Sequence, residues 1–457
     1  MKILILGFEY LPIKVGGLAE AITSIAETLA NLENEVLVFT PSHGLKEGKK
    51  VAQFKIVVGG REESVEVYER WQNGVRVFSI SDSILDNPDV YGPGWEGMLD
   101  KAVHFAKASV GLLNKLIEKE GKPDVLHFHD WHTVLAGALI KKYFQMHAVF
   151  TIHRLNKSKI PAHYFHEANL GELAPYPDID PEYVGAYVSD IITTVSKSYL
   201  WEEWEFYKNF EGKVTYVYNG IACDFWNEEL LENKELSRSE RRKHILESLG
   251  LSDGITFMFI GRFDRAQKGV DTLLKAIDIL ATSHPGEFSK MRFIVIGKGD
   301  PELENWAHEL AKKYPNNVKV ITEMLKREFV RELYGSIDFS IVPSYFEPFG
   351  LVQMEAMCLG TIPIGSAVGG IKDTIVSLDE DEENATGLLV PPRDAEALAQ
   401  AILRMAKLRE KDTELLKKMR KNGKKRSKEV FTWENACKRY LRAYRNDIDK
   451  AVGFIRD

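Results

Sequence analysis

The stretch MKILILGFEYLPIKVGGLAEAI, Met1 to Ile22, sets the plan of the chain. After Lys2 an unbroken apolar run leads to Gly7, the pattern of a strand buried on both faces of a parallel sheet. From Leu18 the apolar residues step by three and four through Ile22, Ile25, Leu29 and Leu32, which puts them on one face of a helix. A dinucleotide-binding strand would run straight into G-x-G-x-x-G at this turn. This one instead reaches Lys14 and the pair Gly16-Gly17 at the helix entrance. Glycines there let backbone N–H groups and the helix dipole face an anion.

The same plan returns as ITFMFIGRFDRAQKGVDTLLKAI, Ile255 to Ile277, with apolar helix positions Val270, Leu273, Leu274, Ile277 and Leu280. Around these two copies, buried-strand runs alternate with helical periodicity. The first series covers 2–7, 35–39, 124–128, 147–152, 190–195 and 214–218; the second covers 255–260, 292–296, 318–321, 337–342 and 361–364. Two doubly wound α/β domains are predicted, with a boundary near VYNGIACDFW, where a turn-forming Asn-Gly follows a strand. The expected divisions are 1–218, 219–432 and a last helical segment, 433–457, whose helix runs from about Trp433 to Ile455.

Length and composition bound the function. The 457 residues suit two to three domains, and 44% hydrophobic with 28% charged residues describes an ordinary globular chain. A net charge of -7 argues against nucleic acid as partner while leaving room for a local cationic pocket. No segment reaches membrane-spanning length, and the amino-terminal apolar run is too short for a secretory signal. Cys223, Cys358 and Cys437 show no paired spacing. A reduced cytoplasmic setting is therefore expected.

Four further features carry chemistry. Arg262 lies just past its strand and Lys268 six residues on. At the carboxyl end of a strand, where open sheets bind ligands, the two are expected to converge on a diphosphate and stabilise it as it leaves. SYFEPFGLVQMEAM, Ser344 to Met357, sets Glu347 in a loop and Glu355 about two turns into the next helix, a spacing that suits two parts of one ligand rather than one metal. SAVGGIKDTI, Ser366 to Ile375, opens a helix with Gly369 and Gly370, a second N-terminal anion site. VLHFHDWHTVLAG gathers His127, His129, Asp130, Trp131 and His132. Alternation puts His127 and His129 on one strand face and separates them from His132, so a polar site for a hydroxylated substrate is favoured over a metal, with Asp130 able to cap the next helix. His153 ends another apolar strand of the same domain, a fitting place for a substrate contact.

Taken in order, KVGGLAE, HFHDWH, GRFDRAQKG and EPFGLVQMEA resemble the glycogen and starch synthases, retaining glycosyltransferases with two Rossmann-like domains facing across a cleft, the GT-B architecture. The resemblance runs from Lys2 to about Tyr440. It implies that Lys14, Gly16 and Gly17 lie against the donor phosphates, that Arg262 and Lys268 grip the diphosphate, and that Gly369 and Gly370 complete the cradle. Glu347 would lie near the transferred glucose, Glu355 on the ribose, and Asp130 and His153 on glucose hydroxyls, with Glu9 and Trp131 on the acceptor side. The last helix would cross back to the first domain. The implied partners are a nucleotide-sugar donor, ADP-glucose or UDP-glucose, and an α-1,4-glucan acceptor, with no metal and no other cofactor; a homo-oligomer is compatible. Val368 stands where bacterial members carry threonine, and 156–187 departs from the pattern, as a lid or part of the acceptor path would. The alternatives are a sucrose-phosphate or trehalose type of retaining glycosyltransferase, a sugar-nucleotide epimerase, and a non-catalytic glucan-binding protein.

Overall fold

In the computed structural model, which describes residues 1–411 and 413–450, β1 (Lys2–Leu6) lies at the middle of a nine-stranded sheet. The other strands of the first half are β2 (Glu35–Pro41), β3 (Lys49–Val58), β4 (Arg61–Gln72), β5 (Val75–Ser81), β6 (Val125–His129), β7 (His147–Ile152), β8 (Ile160–Pro161), β9 (Asp178–Ile179), β10 (Ile191–Thr194) and β11 (Val214–Tyr216). The sheet order is β11-β10-β7-β6-β1-β2-β5-β4-β3, with β8 and β9 pairing apart. From β11 to β5 the neighbours are parallel, as the continuous apolar runs predict.

β3, β4 and β5 were not among the expected strands. β4 pairs antiparallel with both β5 and β3, so a hairpin extends the parallel sheet. Its two-residue loops are Gly59-Gly60 and Asn73-Gly74, all four at positive φ. Asn-Gly in that conformation matches the twist of the strands it joins, and alternation in VEVYERW was the accompanying signal.

The second half forms a six-stranded parallel sheet of β12 (Ile255–Ile260), β13 (Met291–Ile296), β14 (Val318–Ile321), β15 (Phe339–Val342), β16 (Ile362–Ser366) and β17 (Leu388–Val390), in the order β14-β13-β12-β15-β16-β17. Both opening helices pack as their periodicity requires. Ile22, Ile25 and Leu29 of Gly17–Asn31 are buried, while Leu18 is half-buried and Leu32 falls just past the helix end, also half-buried. So are all five predicted residues of Val270–Ser283, each worth roughly 1.5–3 kcal/mol of burial.

Chain contacts define two units. The first holds Met1–Val195, Glu203–Gly220 and the segment from Trp433; the second holds Ser196–Glu202 and Ile221–Thr432. Helix Trp433–Tyr444 does return to the first unit, where Ala436, Cys437, Tyr440 and Tyr444 share a core with Ile22, Ile25 and Leu29. It ends at Tyr444, short of the expected Ile455, and 451–457 lie outside the described residues. The region 156–187 is built from β8, β9 and the helices Ala162–Glu167 and Pro181–Val188.

The cysteine expectation fails. Cys223 and Cys358, 135 residues apart, are disulfide-bonded with Cα atoms 5.9 Å apart, and Cys437 is buried and free. Spacing along the chain did not show a pair that the second unit brings together in space. The argument for a reducing compartment from unpaired cysteines therefore lapses.

Candidate active site

In the second unit β12 and β15 are neighbours, so the loops leaving their carboxyl ends lie side by side. Lys268 Nζ donates to Glu347 Oε2 at 2.7 Å, with both side chains largely buried. Hydrogen bonds within and between the two loops hold the partners in place. Asp264 Oδ1 accepts from the backbone N–H groups of Gln267 and Lys268. The Tyr345 N–H donates to the Gln267 carbonyl at 2.7 Å, and its hydroxyl donates to Asp271 at 2.6 Å. Ser196 Oγ donates to the Pro348 carbonyl at 2.6 Å.

Arg262 does not join this pair. Its side chain is 69% exposed and its guanidinium donates to Gln267 Oε1 at 3.2 Å, so the two cations share a loop but not a partner. Glu355 sits in the first turn of Val352–Cys358, not two turns in, because that helix begins later than expected. There it is half-buried, near the Tyr334 phenol, which burial pushes well up with help from the Glu355 charge.

Gly369 and Gly370 pack against the Glu347 loop. Gly369 has a φ of +43°, and a Cβ there would fall 1.8 Å from the Glu347 carbonyl oxygen, which only glycine avoids. The Gly370 N–H donates to that same carbonyl at 3.0 Å, and the Gly369 N–H to Glu202 Oε1 at 2.7 Å. The donors expected to face phosphate are thus engaged by groups of the chain itself. Glu202 carried no motif signal; it lies in helix Lys197–Glu202, which topology brings onto Gly369–Thr374.

In the first unit the Lys14 loop is organised by Glu9. This glutamate is buried, and its Oε2 accepts from the Val15 N–H at 2.7 Å and the Gly16 N–H at 3.4 Å, while its Oε1 accepts from the Tyr91 hydroxyl. Lys14 Nζ pairs with Glu20 at 2.6 Å. Among the described residues nothing lies within 4 Å of a Cβ built at position 16 or 17. Tyr91 sits in a turn-rich stretch with no periodicity, which is why the sequence did not offer it.

At the end of β6, His127 and His129 do share a strand face, with ring centroids 4.1 Å apart. Asp130 does not cap the next helix. Its backbone is left-handed, at φ +57°, and its Oδ1 accepts from the His153 N–H at 2.7 Å across to the end of β7. Burial pushes the Asp130 carboxyl up to about 8, against the pull of that N–H bond. A strained backbone at a buried carboxylate marks a place where geometry is held against local preference. His153 Nε2 lies 3.0 Å from His129 Nδ1, and burial lowers the His153 imidazole to about 4. Trp131 is buried between Trp95 and His132, and His132 stacks on Phe8. Glu182, also missed from sequence, accepts from the Asn156 and Lys157 N–H groups and so ties down the chain just past His153.

Comparison with known proteins places this geometry. Residues 2–215 match the starch synthase catalytic domain family, and 241–426 match the glycosyl transferases group 1 family. The chain is similar to the glycogen synthase of Mycoplasma mobile, at 27% identity over 96% of this chain and 99% of that protein. It is also similar to that of Desulfitobacterium hafniense, at 26% over 97% and 98%. Among solved structures, the catalytic domain of starch synthase IV from Arabidopsis thaliana, bound to ADP and acarbose, superposes with a TM-score of 0.80 at 20% identity over 98% of this chain and 99% of that one. A UDP-forming α,α-trehalose-phosphate synthase from Burkholderia xenovorans gives 0.67 at 14% identity, over 97% and 100%.

Two doubly wound units with charged loops at their strand ends, matched to these families, define a GT-B glycosyltransferase. Within that class the chain is similar, nearly end to end, to glycogen synthases, and residues 2–215 match the starch synthase catalytic domain.

Proposed function

We propose that the chain lengthens an α-1,4-glucan, transferring glucose with retention from ADP-glucose or UDP-glucose to the 4-hydroxyl at a non-reducing end. The observation that carries this reading is the Lys268–Glu347 pair at the mouth of the six-stranded sheet, in a chain that aligns nearly end to end with glycogen synthases. In the second unit, Arg262 and Lys268 take the diphosphate, Glu347 the glucose and Glu355 the ribose. Each cation supplies about 2–4 kcal/mol of transition-state stabilisation, the scale of one preorganised donor. A phosphate at Gly369 and Gly370 displaces the Glu202 carboxylate. In the first unit, Lys14, Gly16 and Gly17 serve the donor phosphates, Asp130 and His153 its glucose hydroxyls, and Trp131 the acceptor. With both oxygens engaged, Glu9 acts on the Lys14 loop rather than on the acceptor.

Retention then follows from attack on the face the nucleotide leaves, since a double displacement would need a carboxylate nucleophile and Glu347 is committed to Lys268. The reading calls for no metal and no organic cofactor, and it places the protein in the cytoplasm, where nucleotide sugars are made. Incubation with glycogen and either ADP-glucose or UDP-glucose, scoring glucan growth and nucleotide release together, tests it. Matched growth and release are expected; release without growth would overturn it.

A further inference from the structure

The histidine layer beneath Asp130 contains a residue whose atoms are committed in a way that dictates the chemistry of its neighbour. His129 is fully buried at the end of β6. Its Nδ1 faces His153 Nε2 at 3.0 Å, and its Nε2 is buried with no partner among the described residues. The His127 ring lies against it at 4.1 Å and is itself pinned on both nitrogens, Nδ1 by the Tyr444 hydroxyl at 2.7 Å and Nε2 by Thr151 Oγ1 at 2.6 Å. Thr151 Oγ1 in turn bonds Thr193 Oγ1 at 2.7 Å, and the Tyr440 ring lies tilted against His127 with centroids 4.9 Å apart. The return of helix Trp433–Tyr444 to the first unit therefore ends in a packed column running from Tyr444 through His127 to His129 and His153.

Burial holds these imidazoles below their ordinary range, so at neutral pH each ring carries one proton and the tautomer matters. The 3.0 Å contact admits two arrangements. If His153 Nε2 carries the proton and donates, His129 must hold its own proton on Nε2, which leaves an N–H buried without an acceptor. If His129 Nδ1 carries the proton and donates, only a lone pair on His129 Nε2 is left unpaired. Buried N–H groups without a partner are the rarer defect. The second arrangement places the His153 proton on Nδ1, the nitrogen not engaged by His129.

We infer that His129 is a positioning residue that locks His153 in its Nδ1–H tautomer and so makes His153 a hydrogen-bond donor to the substrate through Nδ1. The inference rests on the proposal that His153 meets the donor glucose. It adds the direction of the hydrogen bond: His153 binds an oxygen lone pair, and a sugar position lacking an oxygen there loses the contact. Asp130 completes the arrangement by fixing the His153 backbone through its N–H.

The experiment has two arms on the full chain. In the first, long-range nitrogen–proton NMR of histidine-labelled wild type without ligand reads the His153 tautomer, with the signal assigned by its loss in His153→Gln. A protonated Nδ1 and bare Nε2 are expected; a protonated Nε2 overturns the inference whether or not the protein elongates glucan. In the second, His129→Leu and His129→Asn are compared at equal folded fraction, judged by melting. Asparagine carries an N–H near the Nδ1 position and should retain most activity. Leucine should lower kcat/KM for the donor by roughly 10- to 100-fold with the glucan KM unchanged. Equal activity of the two variants overturns it, and if leucine prevents folding the first arm still decides. Glucan elongation by wild type is scored separately, so failure of the functional reading and failure of the tautomer assignment give different results.

Discussion

Lys268 Nζ and Glu347 Oε2 meet at 2.7 Å, joining the loop after β12 to the loop after β15. Neither group is then free to wander before a ligand arrives, which lowers the ordering cost of binding. Lys268→Ala should cut turnover at saturating donor by about 100- to 1,000-fold with little change in melting. Glu347→Gln should also lose turnover, and the double variant should lose less than the product of the two, because each single change leaves the other partner unpaired. Steady-state kinetics on the three variants check this; strictly multiplicative losses would mean that the pair does not act as a unit.

Glu9 and Tyr91 make a second testable connection. The Tyr91 hydroxyl donates to Glu9 Oε1, whose other oxygen holds the Val15 and Gly16 N–H groups. Tyr91→Phe removes one bond of about 1 kcal/mol from the support of the Lys14 loop. Donor KM should rise severalfold while glucan KM stays near wild type. A rise in glucan KM alone would return Glu9 to the acceptor side.

The Cys223–Cys358 bond closes a loop of 135 residues in the second unit and ends on the helix that bears Glu355. Chain-entropy arguments give a bond of this span about 2–5 kcal/mol, several degrees of melting for a unit of this size. Thiol titration of the denatured, unreduced chain should find Cys437 alone. Reductant or Cys223→Ser should lower the melting of the second unit, and three titratable thiols before reduction would remove the bond from the account.

How far the sequence reached follows from the physics of each feature. Parallel strands buried on both faces leave continuous apolar runs, and helices against a sheet leave a stripe, so β1, β12 and their helices were plain. β3 and β4 are half-exposed and alternate, a fainter pattern whose clearest mark was the Asn73-Gly74 turn into β5. Lys268 and Glu347 stood out because glycine, a strand end and charge coincide in each loop, and Asp130 and His153 because each is a polar group at the end of an apolar strand. Tyr91, Glu182 and Glu202 carried no such mark, because each acts on a group distant in sequence: Tyr91 on the Glu9 carboxylate, Glu182 and Glu202 on backbone N–H groups. The disulfide escaped for the same reason.

Asp130 supplies the pH prediction. Burial raises its folded-state pKa to about 8, against about 4 in an unfolded chain. Below pH 4 the folded and unfolded chains both hold the proton and the group is neutral to stability. As pH rises from 4 to 8 the unfolded chain releases its proton while the folded chain keeps it, so unfolding gains a growing advantage that levels off above 8. Asp130→Asn keeps an amide oxygen to accept from the His153 N–H and has no proton to release. The melting temperature of Asp130→Asn relative to wild type should therefore climb between pH 4 and 8 and flatten above, even as the variant loses turnover. Glu182, which burial raises to about 7, adds a similar slope to both proteins and cancels in the difference. A difference that does not vary with pH would show that Asp130 ionises as an ordinary carboxylate, and the Asp130–His153 contact would then be a charged one.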